Sequence, residues 1–74
     1  MRYYLANKQG KFLSQFTPND LTGHSQLSFR KSDYYVYSSE DEVFEHWNYI
    51  RQHAIGKSKI AARNLHVVAE YIPL

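Results

Sequence analysis

Seventy-four residues make this chain one small domain, residues 1–74, because either half alone would be too short to bury a core. Hydrophobic residues at 43% and charged residues at 22% match globular composition and exclude a disordered chain. The absence of cysteine excludes disulfides, thiolate metal ligands and a cysteine nucleophile. A formal net charge of +2 is too small to demand nucleic acid. No window approaches the roughly 18 apolar residues of a membrane span, and residues 1–5 lack the apolar run of a signal peptide. The expected location is therefore cytoplasmic.

Residues 2–6 alternate as a strand, with Tyr3 and Leu5 on one face and Arg2, Tyr4 and Ala6 on the other. Asn7 to Gly10 has turn chemistry, with glycine available for positive φ. Residues 11–16 alternate again and place Phe12, Ser14 and Phe16 on one face, so the opening reads as a β-hairpin. Thr17 to Gly23 reads as a loop or one helical turn, with a capping Thr, an entry Pro and an exit Gly. A third strand is expected within 26–30. Residues 31–33 interrupt it, and β-prone Tyr34 to Tyr37 follow as an extended or turn-like lead into a helix.

The helix carries the strongest local signal. Ser39 and Glu42 form a capping box, S-x-x-E, and Glu40, Asp41, Glu42 and Glu45 suit the positive end of the helix dipole. Val43, Trp47, Ile50 and Ala54 fall on one face, flanked by Phe44 and Ile55, and Gly56 is a suitable stop. Residues 57–64 form a basic connector with room for a short helical turn. Leu65 to Ile72 reads as a strand with apolar residues on both faces, which favours an inner position over an edge. The fold class is α+β: a small antiparallel sheet of three to four strands with one amphipathic helix packed on one face, in β-β-(β)-α-β order.

Charge follows these elements. Residues 1–37 carry five basic and two acidic residues, 38–49 carry four acidic and no basic residues, and 50–74 carry four basic residues and Glu70. The acidic block coincides with the helix start and is explained largely by the dipole.

Two stretches, RYYLANKQGKFLSQF at 2–16 and DYYVYSSEDEVFEHW at 33–47, pair an aromatic hairpin with an aromatic approach to an acidic, serine-capped helix. Together they resemble small uncharacterised bacteriophage and prophage accessory proteins of β-β-α-β type. That resemblance covers about half the chain and carries no catalytic motif. It implies a protein that binds and modulates, for example inhibits, a host or phage protein in the host cytoplasm.

Glu42, His46, Tyr49 and His53 stand at i, i+4, i+7 and i+11 and so form one row on the helix, expected to be largely exposed. Tyrosine and histidine beside acids suit a protein interface, and this row is the expected partner-binding surface. Glu42 and His46 also have the spacing of two metal ligands on one helix, with His24 or His66 to complete a site. A solvated Glu–His pair is the commoner meaning of that spacing, and no metal or cofactor is expected.

The alternative function is a nucleic-acid-binding module. Lys57, Lys59 and Arg63 would form its cationic connector, and the strand aromatics, Tyr35 and Tyr37 among them, would stack bases. Gly56-Lys57-Ser58 ends like a phosphate-binding loop, but Arg51 stands where that loop needs its first glycine and a helix precedes it, so the motif is excluded. A further alternative is a structural homo-oligomeric subunit, since burying an open sheet face or edge in a homodimer would help so small a domain. No spacing sets a nucleophile on a strained turn beside a base, and an enzyme is not expected.

Overall fold

The computed structural model describes residues 1–18 and 25–73. Its elements are β1 (Arg2–Ala6), β2 (Phe12–Thr17), β3 (Gln26–Arg30), α1 (Glu40–His53), α2 (Lys57–Arg63) and β4 (His66–Glu70). The strands form one antiparallel sheet in the order β3-β2-β1-β4. The architecture is α+β, as expected, with a second short helix where the basic connector was read. Thr17 closes β2. The remainder of the expected loop at 17–23, apart from Pro18, and His24 lie outside the described residues. No helix among the described residues is long and apolar enough to cross a membrane.

The β1–β2 turn is organised by Asn7. Its side-chain oxygen accepts from the backbone N–H groups of Gln9 and Lys11 at 3.1 and 3.0 Å, and Gly10 turns the chain at φ +79°. Beyond this turn the hairpin opens. β1 and β2 share one pair of Cα partners, Ala6 and Phe12. Residues 34–37 fill the gap between the two strands. Tyr3 and Tyr37 exchange both backbone hydrogen bonds at 2.9 Å, and Tyr35 N–H donates to the Leu13 carbonyl at 3.0 Å. The Tyr35 hydroxyl accepts from Phe16 N–H at 3.4 Å. The inner edges of both strands are thus satisfied by a segment that belongs to neither.

The expected face of β2 is corrected by a bulge. Ser14 has no Cα partner between Leu13↔Phe29 and Gln15↔Ser28, and its hydroxyl donates to the Ser28 carbonyl at 3.0 Å. One extra residue reverses the alternation, so Leu13 and Phe16 share the core face in place of Phe12, Ser14 and Phe16. Phe12 turns to the opposite face, where its ring lies 4.9 Å from Tyr4 and 4.7 Å from Tyr34.

The main core lies between the sheet and the helices. Leu5, Leu13, Val43 and Ile50 are its largest fully enclosed side chains, and Phe16, Tyr37, Ala54, Ala62 and Leu65 surround them. β4 packs Val67 against this core and lies at the edge of the sheet, not inside it. Its apolar second face is explained by Val68, which pairs with Tyr4 of the aromatic cluster on the far side. An inner strand is not needed to account for it. β1 is the strand buried on both faces.

α1 begins as its capping box requires. The Ser39 hydroxyl accepts from Glu42 N–H at 3.2 Å. The Glu42 carboxylate accepts from the N–H and hydroxyl of Ser38, one residue earlier than in the standard box. The helix ends at His53 with Ala54 as its C-cap. Gly56 does not stop α1. It adopts φ +59° and caps the start of α2. Ser25 ties this junction to β3: its hydroxyl accepts from Ile55 N–H at 2.9 Å, and Ser58 donates to its carbonyl at 2.6 Å.

Trp47 joins the two helices. It is half-buried against the core, and its indole N–H donates to the Ala62 carbonyl at 2.9 Å. Trp47→Ala removes both packing and hydrogen bond and should cost about 3 kcal/mol of unfolding free energy. Trp47→Phe should cost about 1 kcal/mol by leaving the carbonyl without its donor. Denaturant titration of both variants checks this: no loss in Trp47→Phe would mean that the indole hydrogen bond contributes nothing, and equal losses would mean that ring packing does not.

Candidate partner-binding surface

A helix that buries Val43, Ile50 and Ala54 must present two flanks, one on either side of that line. The first carries the expected row. His46 is half-buried, while Glu42, Tyr49 and His53 are exposed. The row is therefore not wholly exposed: it runs along the seam between α1, the 34–37 segment and the end of β2. His46 meets Tyr35 edge-on at 5.2 Å, and Tyr49 meets Phe16 edge-on at 6.0 Å. Along the helix, His46 and Tyr49 lie near parallel at 6.3 Å, and Tyr49 lies 4.3 Å from His53. The three rings form a continuous ladder anchored by two rings from the sheet side.

His46 is held by a partner that helical periodicity does not reveal. Its Nδ1 is hydrogen-bonded to the Tyr37 hydroxyl. Tyr37 is 8% exposed, and burial, followed by the neighbouring Tyr35, raises its pKa far above the ordinary phenol value. Burial also lowers the His46 pKa below its ordinary value. Both shifts favour the uncharged side chains, so at neutral pH Tyr37 and His46 meet as a phenol and a neutral imidazole. Glu42 is directed elsewhere. The Ser38 backbone N–H, and then the Ser38 hydroxyl, lower its pKa while its carboxylate faces the helix start. Glu42 and His46 thus have the spacing of metal ligands but are committed to different partners.

The second flank was not read as a surface from the sequence. Phe44 stacks near Trp47 at 6.2 Å, and the Arg51 guanidinium lies 4.6 Å from the centre of the indole ring. Residues 44, 47 and 51 are one helical stripe, a signal hidden by assigning Trp47 wholly to the core. Phe44 remains 45% exposed.

The residues named for the nucleic-acid reading lie on different elements. Lys57, Lys59 and Arg63 are exposed on α2, which meets α1 through Trp47. Tyr35 and Tyr37 instead turn toward His46, with Tyr37 buried and Tyr35 half-buried. The Tyr3 pairing fixes their alternation and points both rings at α1. The lysines and tyrosines do not converge on one groove.

Two open clefts lie elsewhere: about 580 Å³ beside Met1, Arg2, Tyr71, Ile72 and Pro73, and about 240 Å³ beside Asn7, Lys8, Gln9, Phe29, Ala61 and Asn64. Neither is lined by α1. Among the described residues no group of three or more His, Asp or Glu side chains is placed to hold a metal ion.

The Tyr37–His46 pair makes stability depend on pH. In the unfolded chain His46 takes up a proton near its ordinary value of 6.5, whereas the folded protein takes it up at lower pH. The unfolded state therefore binds the proton first, and stability falls as pH drops below 6.5. Thermal melts from neutral to acid pH should show this loss, and His46→Phe should flatten it. Tyr37→Phe, which removes the hydroxyl and leaves the ring, should lower stability by about 1 kcal/mol at neutral pH. An unchanged pH profile in His46→Phe would assign the acid loss to other groups.

No protein-family model matches the chain, and neither the curated proteins nor the solved structures include a significant match. The surface is read from its own geometry.

Proposed function

We propose that this chain is a non-catalytic binding module that docks a partner protein through the first flank of α1, with Tyr49 and His53 as its contact residues. The observation that carries the reading is the exposed Tyr49 ring, set 4.3 Å from His53 and held edge-on by Phe16. A tyrosine ordered before binding loses little conformational freedom on contact, and such rings dominate interface energies. Tyr49 is 44% exposed, so it offers apolar area and a polar hydroxyl together. His46 acts from beneath, positioning Tyr49 by its bond to Tyr37. The acidic first turn, Glu40 to Glu42, favours a partner with basic character next to an apolar patch. The flank is a rail of rings and not a lined pocket, which suits a protein better than a small molecule. With the phage-like resemblance of 2–16 and 33–47, the partner is a host or phage protein whose activity the bound module modulates.

The test is capture of partners from host extract on immobilised protein, with and without nuclease, using wild type, Tyr49→Ala and His53→Ala. A stoichiometric protein should survive nuclease and bind each variant at least about tenfold more weakly. Both variants are exposed-residue truncations and should retain the wild-type melting temperature within a few degrees. A bound set that vanishes with nuclease, or a partner held equally by Tyr49→Ala, would overturn the assignment.

A further inference from the structure

The edge formed by β4 is open, regular and self-complementary. The β1–β4 pairing runs without a break from Arg2↔Glu70 through Tyr4↔Val68 to Ala6↔His66. Tyr3 spends both its backbone N–H and its carbonyl on Tyr37, away from β4. In an antiparallel ladder these groups alternate sides, so Arg2, Tyr4 and Ala6 bond to β4. It follows that Glu70, Val68 and His66 point their backbone groups inward, while Val67 and Ala69 point theirs outward. Among the described residues no strand covers that outer side.

Natural sheets protect such edges with lysine, proline, bulges or a covering loop. β3, at the other edge, has its bulged pairing with β2, Arg30 and Lys31 at its end, and Ser25 tied to the α1–α2 junction. β4 has no lysine, proline or bulge within His66–Glu70. The fold protects one edge and leaves the other ready to pair.

We propose that β4 pairs antiparallel with β4 of a second copy of this chain, about a two-fold axis at Val68. Outward-pointing residues must face outward-pointing residues, so the axis has to pass through a residue and not between two. An axis at Val67 sets His66 against Val68, and one at Ala69 sets Glu70 against Val68. The axis at Val68 alone sets His66 of one copy against Glu70 of the other, twice, and uses the full strand. Val67 and Ala69 then exchange their outward hydrogen bonds between copies. Val68 meets its counterpart in a close, non-hydrogen-bonded pair on the face that carries Tyr4. Glu70 already pairs with Arg2 on its inner side, so the contact sets the carboxylate between a guanidinium-bearing and an imidazole-bearing residue across the sheet. The same register carried one residue further brings Tyr71, 74% exposed, opposite Leu65 of the second copy. The result is one continuous eight-stranded sheet with the helices of both copies on one face. This contact is independent of the α1 surface proposed above, since it uses the edge of the sheet and not the flank of the helix.

Sedimentation equilibrium of the full chain, from micromolar to millimolar, should show a dimer with no larger species. Ala69→Pro removes an outward donor and blocks the edge while sparing the bonds to β1, and should leave a folded monomer by circular dichroism. Glu70→Lys, at an exposed position, should weaken the dimer about tenfold by setting lysine against His66. Adding His66→Glu to Glu70→Lys should restore dimerisation through the reversed pair, although the new lysine then stands opposite Arg2 on β1. A wild-type chain that remains monomeric at millimolar concentration would overturn the proposal. So would a dimer that is insensitive to Glu70→Lys, or one that the double exchange fails to recover.

Discussion

The insertion of residues 34–37 between β1 and β2 is the constraint on which the remainder of the molecule depends. A two-stranded hairpin paired continuously past Ala6 and Phe12 would leave no backbone groups on Tyr3 and Leu13 to hold the segment that leads into α1. The inserted segment instead supplies the missing ladder bonds to both strands. Its alternation then serves two cores at once. Tyr34 covers Tyr4 and Phe12 on the far face, while Tyr35 and Tyr37 fill the helix face. The segment ends at the Ser38-Ser39 cap, so the position of α1 along the sheet is set by Tyr37 pairing with Tyr3.

The candidate surface inherits its order from that geometry. His46 is bonded to Tyr37 beneath it, and Tyr49 has ring contacts to His46, His53 and Phe16 while keeping part of its surface exposed. An isolated amphipathic helix bearing the same row would leave these rings free to rotate. The tertiary packing removes that freedom before any partner arrives, which is how a chain of this size can offer a defined aromatic surface without a pocket. The opposite flank is supported differently, by Trp47 reaching α2 and by Arg51 lying over its ring.

The helix start, the turn and the strand positions were legible because each rests on local chemistry. Asn7 and Gly10 make the turn, Ser39 caps α1, and the third strand lies at 26–30 as read. Two local readings failed where one residue changed the geometry. The extra residue at Ser14 exchanged the faces of β2, and the left-handed Gly56 began a helix where it was expected to end one. The candidate row was legible as a row because helical spacing is local. Its environment was not, since Tyr37 and Phe16 reach it from separate elements.

By itself the sequence determined an α+β chain with a capped amphipathic helix, an aromatic-rich sheet and a face of tyrosine and histidine on α1, because propensity, capping and periodicity act over a few residues. Only the tertiary structure decided which rings are buried, that Tyr35 and Tyr37 face the helix, and that β4 stands at the edge with no strand on its outer side among the described residues. These outcomes turn on pairings between residues distant in the chain, Tyr3 with Tyr37 and Tyr4 with Val68. Strand alternation looks the same whichever neighbour a strand acquires. Strand order and the insertion of 34–37 settle that choice through hydrogen bonds that no local pattern encodes.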